Sequence, residues 1–426
     1  MDAVYRDDGP AACGLEAAVE RAWRSPFLAR KLEAAGFRRG EPLTWQRWWS
    51  IPPTRKDELR RLVRFEEEFC TAPRERVVEF WRSGGVTGRP LFYPRTQADV
   101  DVSLVAFARS LAIAGVTRDD TFMCSLPIGT HPAGQLMIRA AEILGAAGIW
   151  AGAGTQTPSI TQIELIHDLG VTVWCGMASF GLHLAHLAEA AGRPLTETGV
   201  RRLVTTAEPL SRSKRALLEA LWGARVVDVF GMSEITLFGA ECERRRGLHV
   251  WTDHVFCEVI DPASLAPVGP GEPGILCVTA LKGADATPFL RWLSGDVVHL
   301  EHGCDCAEAD MPRLVHSGRT TDFFKVKGVN LNHGELEDAL FAVPDIRDFR
   351  VIVTSSDRLR VEIECADGCG PSTSRAVDAL LSERFGLRAS VELLARGTIA
   401  RANEGHLKAR RFIDQRETAS GGRGVA

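Results

Sequence analysis

Apolar and polar positions alternate with two different periods between about residue 100 and residue 232 of the chain. Short apolar runs of strand character occur at Thr121–Leu126, Gly148–Ala151, Val171–Cys175, Leu203–Thr205 and Val226–Val229. Apolar residues at helical spacing occur at Leu104–Ala114, Gln135–Leu144, Ile160–Leu169, Phe180–Ala190 and Ser213–Trp222. Strands that alternate with helices of this kind predict βαβ units and a parallel sheet. Such sheets bind ligands in loops beyond the carboxyl ends of their strands, so we expect the chemistry there.

Past residue 232 the pattern predicts a β-rich subdomain. Val255–Ile260 and Gly274–Thr279 are predicted strands, and the residues between them include Asp-Pro and Gly-Pro-Gly turns. We therefore predict a large N-terminal domain over residues 1–321, in which this subdomain follows the parallel sheet.

From residue 322 onward the pattern predicts a small α+β domain. Gly334–Val343 has the spacing of an amphipathic helix, and Leu359–Cys365 alternates apolar and charged residues, as a half-exposed strand does. Ala376–Phe385 again has helical spacing, and Gly386 follows it as a predicted C-cap. The segment 322–426 has the length of one small domain, roughly 100 residues. The predicted fold class is thus α/β, with a small α+β domain at the C-terminus.

Composition and charge exclude several classes of protein. The 426 residues carry 51 Lys and Arg against 55 Asp and Glu, for a formal net charge of −4. A nearly balanced charge gives no electrostatic reason to bind nucleic acid or an anionic membrane. No stretch approaches the roughly 18 uncharged apolar residues of a membrane span, and the acidic N-terminus lacks the layout of a signal peptide. We therefore expect a cytoplasmic protein with no nucleic-acid or membrane partner.

Cysteine usage suggests one candidate metal site. The eleven cysteines are an odd number scattered over a long chain, which is not the pattern of a secreted disulfide framework. Cys242 and His249 form a C-x₆-H pair, and Cys304 and Cys306 form a C-x-C pair. These four ligands would suffice for a closed tetrahedral Zn²⁺ site, provided that the β-rich segment brings the pairs together. The alternative is four unrelated residues in a cysteine-containing chain.

Other short segments could carry phosphate or nucleotide chemistry, although each is a weak signal alone. Ser83–Pro90 is rich in glycine and hydroxyl groups and could cradle phosphates, or it could be a plain turn. In Val227–Glu234, Phe230 could stack on a base, and the carboxylate of Glu234 is a hard ligand suited to Mg²⁺. Ser294-Gly295-Asp296 places a carboxylate after a tight turn, where it could bind ribose hydroxyls.

The order and spacing of these segments resemble the motif set of adenylate-forming enzymes. The set comprises Ser83–Pro90, Ala207-Glu208-Pro209, Asp228–Glu234, Ser294-Gly295-Asp296, Gly318–Gly328 and a lysine near the C-terminus. Within that superfamily the chain is most similar to the phenylacetate–CoA ligase family. The features that carry this likeness are Ile51–Leu59, Glu241-Cys242 before Gly247–Val250, Ile260-Asp261-Pro262 and Lys325–Asn330. The resemblance covers almost the whole chain, from about Pro26 to Asp414.

The resemblance implies an ATP-dependent, AMP-forming ligase that works in two half-reactions. An aromatic carboxylate first attacks the α-phosphate of Mg·ATP, giving an acyl-adenylate and pyrophosphate. The small C-terminal domain then rotates about a hinge at Asp322, and a thiol, normally that of CoA, displaces AMP. The implied cofactors are ATP and Mg²⁺, with CoA as co-substrate, and a homodimer is the default expectation.

The resemblance also implies roles for individual residues. The catalytic residues would be Lys408, Glu234, which would hold Mg²⁺, and Thr87. The ATP and AMP site would comprise Ser83, Gly85, Thr87, Gly88, Ala207, Glu208, Pro209, Asp228, Phe230, Gly231, Met232, Ser233, Asp296, Arg319 and Lys325. The acyl-substrate pocket would comprise His131, Pro132, Met177, Ala178, Ser179 and Phe180. Lys327 and Gly328 would line the thiol channel.

The chain departs from the pattern of the family at four positions. Gly84 and Val86 stand where the family often has hydroxyl residues, Arg89 replaces a lysine, and Phe230 replaces a tyrosine. These departures permit a different second step. One alternative is an adenylating enzyme whose acceptor is a carrier-protein thiol, an amine, or nitrite, as in diazo-forming relatives. Another is a catalytically inactive relative that binds a nucleotide or a partner protein.

The C-terminal lysine has two possible registers. The family usually has lysine directly after glycine, but here Gly405 precedes His406. Matching backwards from Ile413-Asp414 instead selects Lys408, with two extra residues after Gly405. A loop accommodates two residues at little entropic cost, and a charged ammonium stabilises phosphate better than a neutral imidazole does. We therefore predict Lys408.

Overall fold

Local sequence sets where the principal helices begin and end in the computed structural model of the protein. Thr96 caps the longest described helix, accepting a hydrogen bond from the Asp99 amide, while the Asp99 carboxylate accepts one from the Thr96 amide. Asn332 caps a later helix by accepting hydrogen bonds from the amides of Gly334 and Glu335. Gly386 ends another helix with a positive φ of 66°, as the sequence predicts.

The structure describes residue 9 and residues 14–83, 90–365, 370–402 and 410–416. The α-helices in these residues are α1 (Leu15–Ala22), α2 (Pro26–Ala34), α3 (Trp45–Ser50), α4 (Lys56–Arg60), α5 (Phe65–Phe69), α6 (Gln97–Ile113), α7 (Ala133–Ile143), α8 (Ser159–Asp168), α9 (Ala178–Ala190), α10 (Arg212–Trp222), α11 (His333–Phe341), α12 (Pro371–Phe385) and α13 (Thr398–Ala402).

The strands, again in chain order, alternate with these helices in the middle of the chain and follow one another after α10. They are β1 (Val77–Arg82), β2 (Phe92–Thr96), β3 (Thr121–Cys124), β4 (Ala147–Trp150), β5 (Val173–Gly176), β6 (Arg202–Thr205), β7 (Arg225–Met232), β8 (Thr236–Glu241), β9 (Leu248–Val250), β10 (Val255–Ile260), β11 (Gly274–Ala280), β12 (Trp292–Glu301), β13 (Arg313–Arg319), β14 (Phe323–Val326), β15 (Val329–Asn332), β16 (Ile346–Val353), β17 (Leu359–Cys365), β18 (Ala389–Leu394) and β19 (Phe412–Asp414).

The chain divides into two compact units, of which the first comprises Met1–Trp150 and Val227–Thr320. In this unit β3 and β4 pair in parallel, and β1 and β2 form an antiparallel hairpin. The strands after β6 form an antiparallel series in the order β10-β11-β12-β13-β9-β8-β7. Every residue of β10 and β11 is buried, so the charged Glu258 on β10 needs an internal partner. Arg291 provides it, with nitrogen and oxygen 3.1 Å apart.

The second unit comprises Ala151–Val226 and Thr321–Ala426. Here β5 and β6 pair in parallel, each followed by a helix, and Trp174 packs on Trp222 with ring centroids 5.2 Å apart. The C-terminal part contains the β14–β15 hairpin and a four-stranded sheet of order β18-β17-β16-β19. Helices α11 and α12 pack against strands of this part.

The structure confirms the predicted fold class: an α/β protein with parallel pairs, an antiparallel β-rich part and a small C-terminal sheet. Each predicted helix and strand is present, with ends that differ by a few residues at most sites. Helix α6 is the largest difference, because it begins at Gln97 instead of Leu104. The division into residues 1–321 and 322–426 stays a prediction. In the described part of the chain, none of the helices is both long and apolar enough to span a membrane.

Candidate active site

The two ends of the glycine-rich loop are held together by backbone pairing in the first unit. The Ser83 amide donates to the Leu91 carbonyl at 2.8 Å, and the Leu91 amide donates to the Ser83 hydroxyl at 3.0 Å. The Arg82 amide donates to the carbonyl of Thr130, at 2.8 Å. The base of this loop therefore lies beside the loop that carries His131 and Pro132. The predicted phosphate residues Gly85, Thr87 and Gly88 lie outside the described residues.

The His131–Pro132 loop leads directly into helix α7, whose second residue, Gly134, is fixed by close packing. A Cβ atom at Gly134 would lie 2.5 Å from the Pro127 carbonyl oxygen, so only glycine fits. This contact explains why a glycine ends the segment His131-Pro132-Ala133-Gly134. Pro132 is buried and His131 half-buried, and both stand at the amino end of α7.

Glu234 lies in the tight connection between β7 and β8, where Gly231 permits a close backbone approach. A Cβ atom at Gly231 would lie 2.3 Å from the Thr236 carbonyl oxygen. The buried guanidinium of Arg95 fixes this connection by donating to the carbonyls of Ser233 and Glu234, at 2.9 and 2.8 Å. The connection is therefore rigid, as a ligand-binding carboxylate requires.

The Glu234 carboxylate is buried and has a defined hydrogen-bonding environment. Its Oε1 atom accepts from the Tyr93 hydroxyl at 3.1 Å and from the Lys56 ammonium at 3.2 Å. In the part of the chain that the structure describes, the side chains that contact this carboxylate all do so at Oε1. The Oε2 atom is thus left for a further ligand. A buried carboxylate oxygen suits Mg²⁺, so the residues present fit that metal.

Asp296, His316 and Arg319 form a second polar group on the paired strands β12 and β13. The Asp296 Oδ1 atom lies 3.1 Å from Nε2 of His316 and 3.3 Å from Nε of Arg319. Burial alone would raise the pKa of Asp296, but the His316 hydrogen bond and the charge of Arg319 outweigh it. The pKa of this carboxyl consequently lies below its usual value.

Phe230 joins this group through His316. The two rings lie with centroids 5.5 Å apart, and Phe230 also meets Phe238 edge to face. Strand β7 carries Asp228, Phe230, Gly231 and Met232, and Ser233 follows it. The Asp228 amide donates to Glu241 on β8 at 2.9 Å. The first unit therefore brings together three predicted nucleotide residues, Phe230, Asp296 and Arg319.

In the second unit, the segment Ala207–Pro209 contacts the start of helix α9. Glu208 accepts two hydrogen bonds from Ser179, one from its amide at 2.6 Å and one from its hydroxyl at 2.8 Å. Ala207 has a positive φ of 71°, unusual for a residue with a Cβ atom. The strained turn directs the backbone so that Glu208 reaches α9. The hydrogen bonds between Glu208 and Ser179 thus link the predicted acyl residues Met177–Phe180 to the predicted adenine loop.

Lys214 neutralises Glu208 inside this unit. Its Nζ atom lies 3.6 Å from Glu208 and 2.8 Å from Glu337. Burial alone would raise the pKa of Glu208, but the charges of Lys214 and Arg411 and the Ser179 hydrogen bonds lower it below its usual value. Glu208 is thus a buried, ionised carboxylate.

Lys325, Lys327 and Gly328 lie on the β14–β15 hairpin. Lys327 and Gly328 form its two-residue turn, both with positive φ, at 47° and 85°. The Lys327 amide donates to Asp357 at 3.0 Å, and the side chains of Lys325 and Lys327 are exposed. The predicted catalytic Lys408, and its alternative His406, lie outside the described residues.

Comparison with known proteins identifies the family. The model of the AMP-binding enzyme family matches residues 67–282, half of the chain, and that of the AMP-binding enzyme C-terminal domain matches residues 328–416. The chain belongs to the AMP-binding enzymes. The family predicted from the ordered motifs is thereby confirmed.

Individual relatives of this AMP-binding enzyme cover most of its length. A phenylacetate–coenzyme A ligase from Thermus thermophilus is 31% identical over 76% of this chain and 72% of its own. A phenylacetate–coenzyme A ligase from Escherichia coli is 31% identical over 74% of this chain and 71% of its own. A crystal structure of a 2-hydroxyisobutyryl-CoA ligase in the postadenylation state, in complex with the adenylate R3-HIB-AMP, is 25% identical. It covers 99% of this chain and 92% of its own, with a TM-score of 0.87.

Sequence reasoning missed several residues that the AMP-binding enzyme places beside the predicted ones. These are Lys56 and Tyr93 at Glu234, His316 at Asp296, and Lys214 at Glu208. Lys56 belongs to the stretch Ile51–Leu59, which contributes to the family resemblance. That resemblance could have pointed to Lys56, although it does not indicate that Glu234 is its partner. Tyr93 lies 141 residues from Glu234 along the chain, and His316 lies 20 residues from Asp296, so only the tertiary structure brings these pairs together. Lys214 follows Glu208 by only six residues, but no motif of the sequence pointed to it.

The AMP-binding enzyme also brings the four candidate metal ligands together. The ligand atoms of Cys242, His249, Cys304 and Cys306 all lie within 4.8 Å of one another. All four residues belong to the first unit. They are therefore not scattered cysteines with unrelated surroundings.

Proposed function

We propose that this AMP-binding enzyme activates an aromatic carboxylic acid with ATP and transfers the acyl group to CoA. The proposal is supported by the phenylacetate–coenzyme A ligases that match three quarters of the chain. The single structural observation that carries it is a series of contacts in which Phe230 meets His316, and Asp296 meets both His316 and Arg319. An aromatic ring, an ionised carboxylate and a guanidinium at one place suit a base, ribose hydroxyls and a phosphate.

Glu234 would hold Mg²⁺ in this reaction, and the metal would neutralise phosphate charge during attack by the carboxylate. The chain itself supplies the positioning. Arg95 fixes the backbone of the connection, and Tyr93 orients the carboxylate through Oε1. Lys56 adds a positive charge at the same oxygen, and it is only a quarter exposed. Ser83 and the glycine-rich loop would bind the β- and γ-phosphates.

The nucleoside would lie against Phe230, with its ribose hydroxyls on Asp296. The lowered pKa of Asp296 keeps this carboxylate ionised at neutral pH, so that it accepts hydrogen bonds from both hydroxyls. Arg319 and His316 hold the Asp296 carboxylate in place through their contacts with its Oδ1 atom. Asp228 would add an acceptor for the adenine amine in the same unit. The role of Ala207–Pro209 in binding adenine rests on the family resemblance alone.

In the second unit, the acyl group would lie against Met177–Phe180. His131 and Pro132 of the first unit stay predicted acyl-site residues from the family resemblance alone. Met177, Ala178 and Ser179 are buried, whereas Phe180 is partly exposed and packs on His183 with ring centroids 5.8 Å apart. An aromatic ring beside a small apolar surface suits a planar aromatic acid. The transfer to CoA would use the second face of the C-terminal part, with Lys325, Lys327 and Gly328 along the thiol channel and a hinge at Asp322.

A screen for pyrophosphate release tests the proposal. Purified protein is supplied with Mg·ATP and a panel of aromatic and aliphatic acids, and each active acid is repeated with CoA, a carrier protein, an amine and nitrite. We expect release with aromatic acids and an acyl-CoA thioester by mass spectrometry. A thioester only on the carrier protein, or a product only with the amine or with nitrite, would replace CoA as the acceptor. ATP binding without pyrophosphate release for every acid would contradict the proposal.

A further inference from the structure

The cluster of Cys242, His249, Cys304 and Cys306 joins three separate parts of the antiparallel series in the first unit. Cys242 directly follows β8, and His249 is the middle residue of β9. Cys304 and Cys306 lie in the connection between β12 and β13. Pairing of β8 with β9 and of β9 with β13 brings these parts to one end of the strands. The fold therefore assembles the cluster from positions up to about sixty residues apart in the sequence.

The distances within the cluster match tetrahedral coordination. A Zn²⁺ ion with Zn–S near 2.3 Å and Zn–N near 2.05 Å would hold two sulfurs about 3.8 Å apart, and a sulfur and a nitrogen about 3.6 Å apart. The Sγ atoms of Cys242 and Cys304 lie 3.8 Å apart. The Sγ atom of Cys306 lies 3.4 Å from Nε2 of His249. A disulfide would need sulfurs about 2.05 Å apart, so Cys242 and Cys304 are not joined by one, and their spacing is that of two ligands of one ion.

Backbone amides donate hydrogen bonds to the sulfurs at two of these positions. The amide of Arg244 donates to Sγ of Cys242 at 3.4 Å, and the amide of Glu308 donates to Sγ of Cys306 at 3.3 Å. In each case the donor lies two residues after the cysteine. An N–H group directed at sulfur stabilises the charged thiolate that a metal ligand requires.

A buried arginine fixes the two loops that carry the ligands. Arg313 lies opposite His249 in the β9–β13 pairing, and it donates to the Gly303 carbonyl at 3.0 Å and to the Arg246 carbonyl. Gly303 directly precedes Cys304, and Arg246 lies between Cys242 and His249. The positions of the ligands are therefore set by the protein before any ion binds.

We propose that Cys242, His249, Cys304 and Cys306 bind one Zn²⁺ ion in a closed structural site. Three thiolates and one imidazole are a standard donor set for structural zinc, and they fill all four positions. Cys242 and His249 are buried, and Cys304 and Cys306 are half-buried, so the site is largely shielded from solvent.

The zinc ion would stabilise the strands that carry the nucleotide residues without taking part in the reaction. Asp296 and Arg319 lie opposite each other at one end of the β12–β13 pair, and Glu301 and Arg313 lie at the other end, next to the cluster. The six residues from Asp296 to Glu301, five residue-to-residue steps, span about 17 Å of strand. The ion therefore closes the far ends of β8, β9, β12 and β13, out of reach of a bound nucleotide.

Metal content of the full-length protein, purified without chelators or metal-affinity resin, tests the proposal directly. We expect about one zinc per chain in the wild-type protein and in Cys70→Ser. Cys70 is a matched control because it is a half-buried free cysteine of the same unit, outside the cluster. We expect the zinc content of Cys242→Ser and of Cys304→Ser to be at least roughly tenfold lower than that of the wild-type protein.

A second measurement on the wild-type protein covers variants that fail to fold. A mercurial reagent releases the zinc, and Co²⁺ is then bound in its place. The cobalt-substituted protein should show thiolate-to-cobalt charge-transfer absorption and tetrahedral d–d bands. Removal of the metal should lower the Tm, and added Zn²⁺ with reductant should restore it.

Four results would overturn the proposal. The first is the absence of stoichiometric zinc after reconstitution under reducing conditions, and the second is iron in place of zinc. The third is a disulfide between cluster cysteines, and the fourth is full zinc content in folded Cys242→Ser and Cys304→Ser. The measurement requires no ATP or acid. A zinc-containing protein without adenylation activity would contradict the proposed function alone, and an active zinc-free protein would contradict the zinc site alone.

Discussion

The ammonium of Lys214 lies 2.8 Å from the Glu337 carboxylate, with both side chains almost completely buried. Lys214 belongs to α10, whereas Glu337 belongs to α11 in the C-terminal part of the chain. Lys214 also lies 3.6 Å from Glu208 in the predicted adenine loop. One buried cation thus holds the adenine loop and α11 together. If the C-terminal part rotates between half-reactions, this contact must break and re-form.

Removing Lys214 should destabilise the protein strongly. Lys214→Ala leaves Glu208 and Glu337 buried without their shared cation, which should cost about 3–5 kcal/mol. Glu337→Gln should cost less, because Lys214 still has Glu208. The midpoint of urea unfolding checks both variants. Lys282→Ala is the control, since Lys282 pairs with Asp253 at the surface and is half exposed; its loss should cost less than about 1 kcal/mol. Equal midpoints for Lys214→Ala and Lys282→Ala would contradict the role of the buried cation.

Glu234→Gln should lower the rate of adenylation at least roughly tenfold, because the amide keeps the shape of the carboxylate and removes its charge. It should also raise the Mg²⁺ concentration required for half-maximal rate. Pyrophosphate release, measured across a Mg²⁺ titration, checks both effects. Glu272→Gln is the control, since Glu272 is an exposed carboxylate in a turn of the same unit. Wild-type rates and Mg²⁺ dependence in Glu234→Gln would exclude the metal role.

Asp296→Ala should mainly raise the KM for ATP, because binding of the ribose hydroxyls is largely uniform between the ground state and the transition state. His316→Ala should raise it less, since His316 only positions the carboxylate. An unchanged ATP KM in Asp296→Ala would contradict the assignment, and initial-rate kinetics measure it.

The lowered pKa of Asp296 also predicts the sign of a pH effect. A carboxyl whose pKa falls on folding contributes stability that is fully present above its unfolded pKa, about 3.9. This contribution is lost as the pH falls through the lower folded value. Wild type should therefore exceed Asp296→Asn in Tm at neutral pH, and the difference should shrink in acid. A difference that grows below pH of about 4 would contradict this sign.

Lys408→Ala should lower adenylation by about 10²-fold or more, on the order of 3 kcal/mol of transition-state stabilisation. Thioester formation from a pre-made acyl-adenylate should survive, because the predicted rotation of the C-terminal part would by then have moved this lysine away. His406→Ala is the matched comparison, two residues earlier, and should have a far smaller effect. A silent Lys408→Ala together with an inactive His406→Ala would show that the register of the C-terminal motif is the other one.

Sequence reasoning located the elements wherever local periodicity and burial agree. Helix α6 shows where they do not: its first turns contain Asp99 and Ser103, which are buried and polar. Asp99 is buried because its carboxylate accepts from the amides of Asp285 and Ala286, far away in the chain. Strands β12 and β13 were not predicted for a similar reason. Their Ser-Gly-Asp and His-Ser-Gly-Arg segments have turn-forming residues, and pairing with distant partners makes them strands.

The sequence by itself determined the family and the order of the elements, and it singled out Glu234 and Asp296 as candidate site carboxylates and two pairs of cysteine and histidine residues as candidate metal ligands. All of these depend on residue types at short spacing, where local backbone preferences and hydrophobic period dominate. Only the tertiary structure decided which side chains share a site. His316 meets Asp296 and Cys242 meets Cys304 through strand pairing, and Lys214 meets Glu337 through helix packing, although the members of each pair are 20 or more residues apart in the sequence. In each of those contacts, charged groups or thiols are buried together by parts of the chain that pack on one another. Local residue patterns do not show which distant segments will pack together.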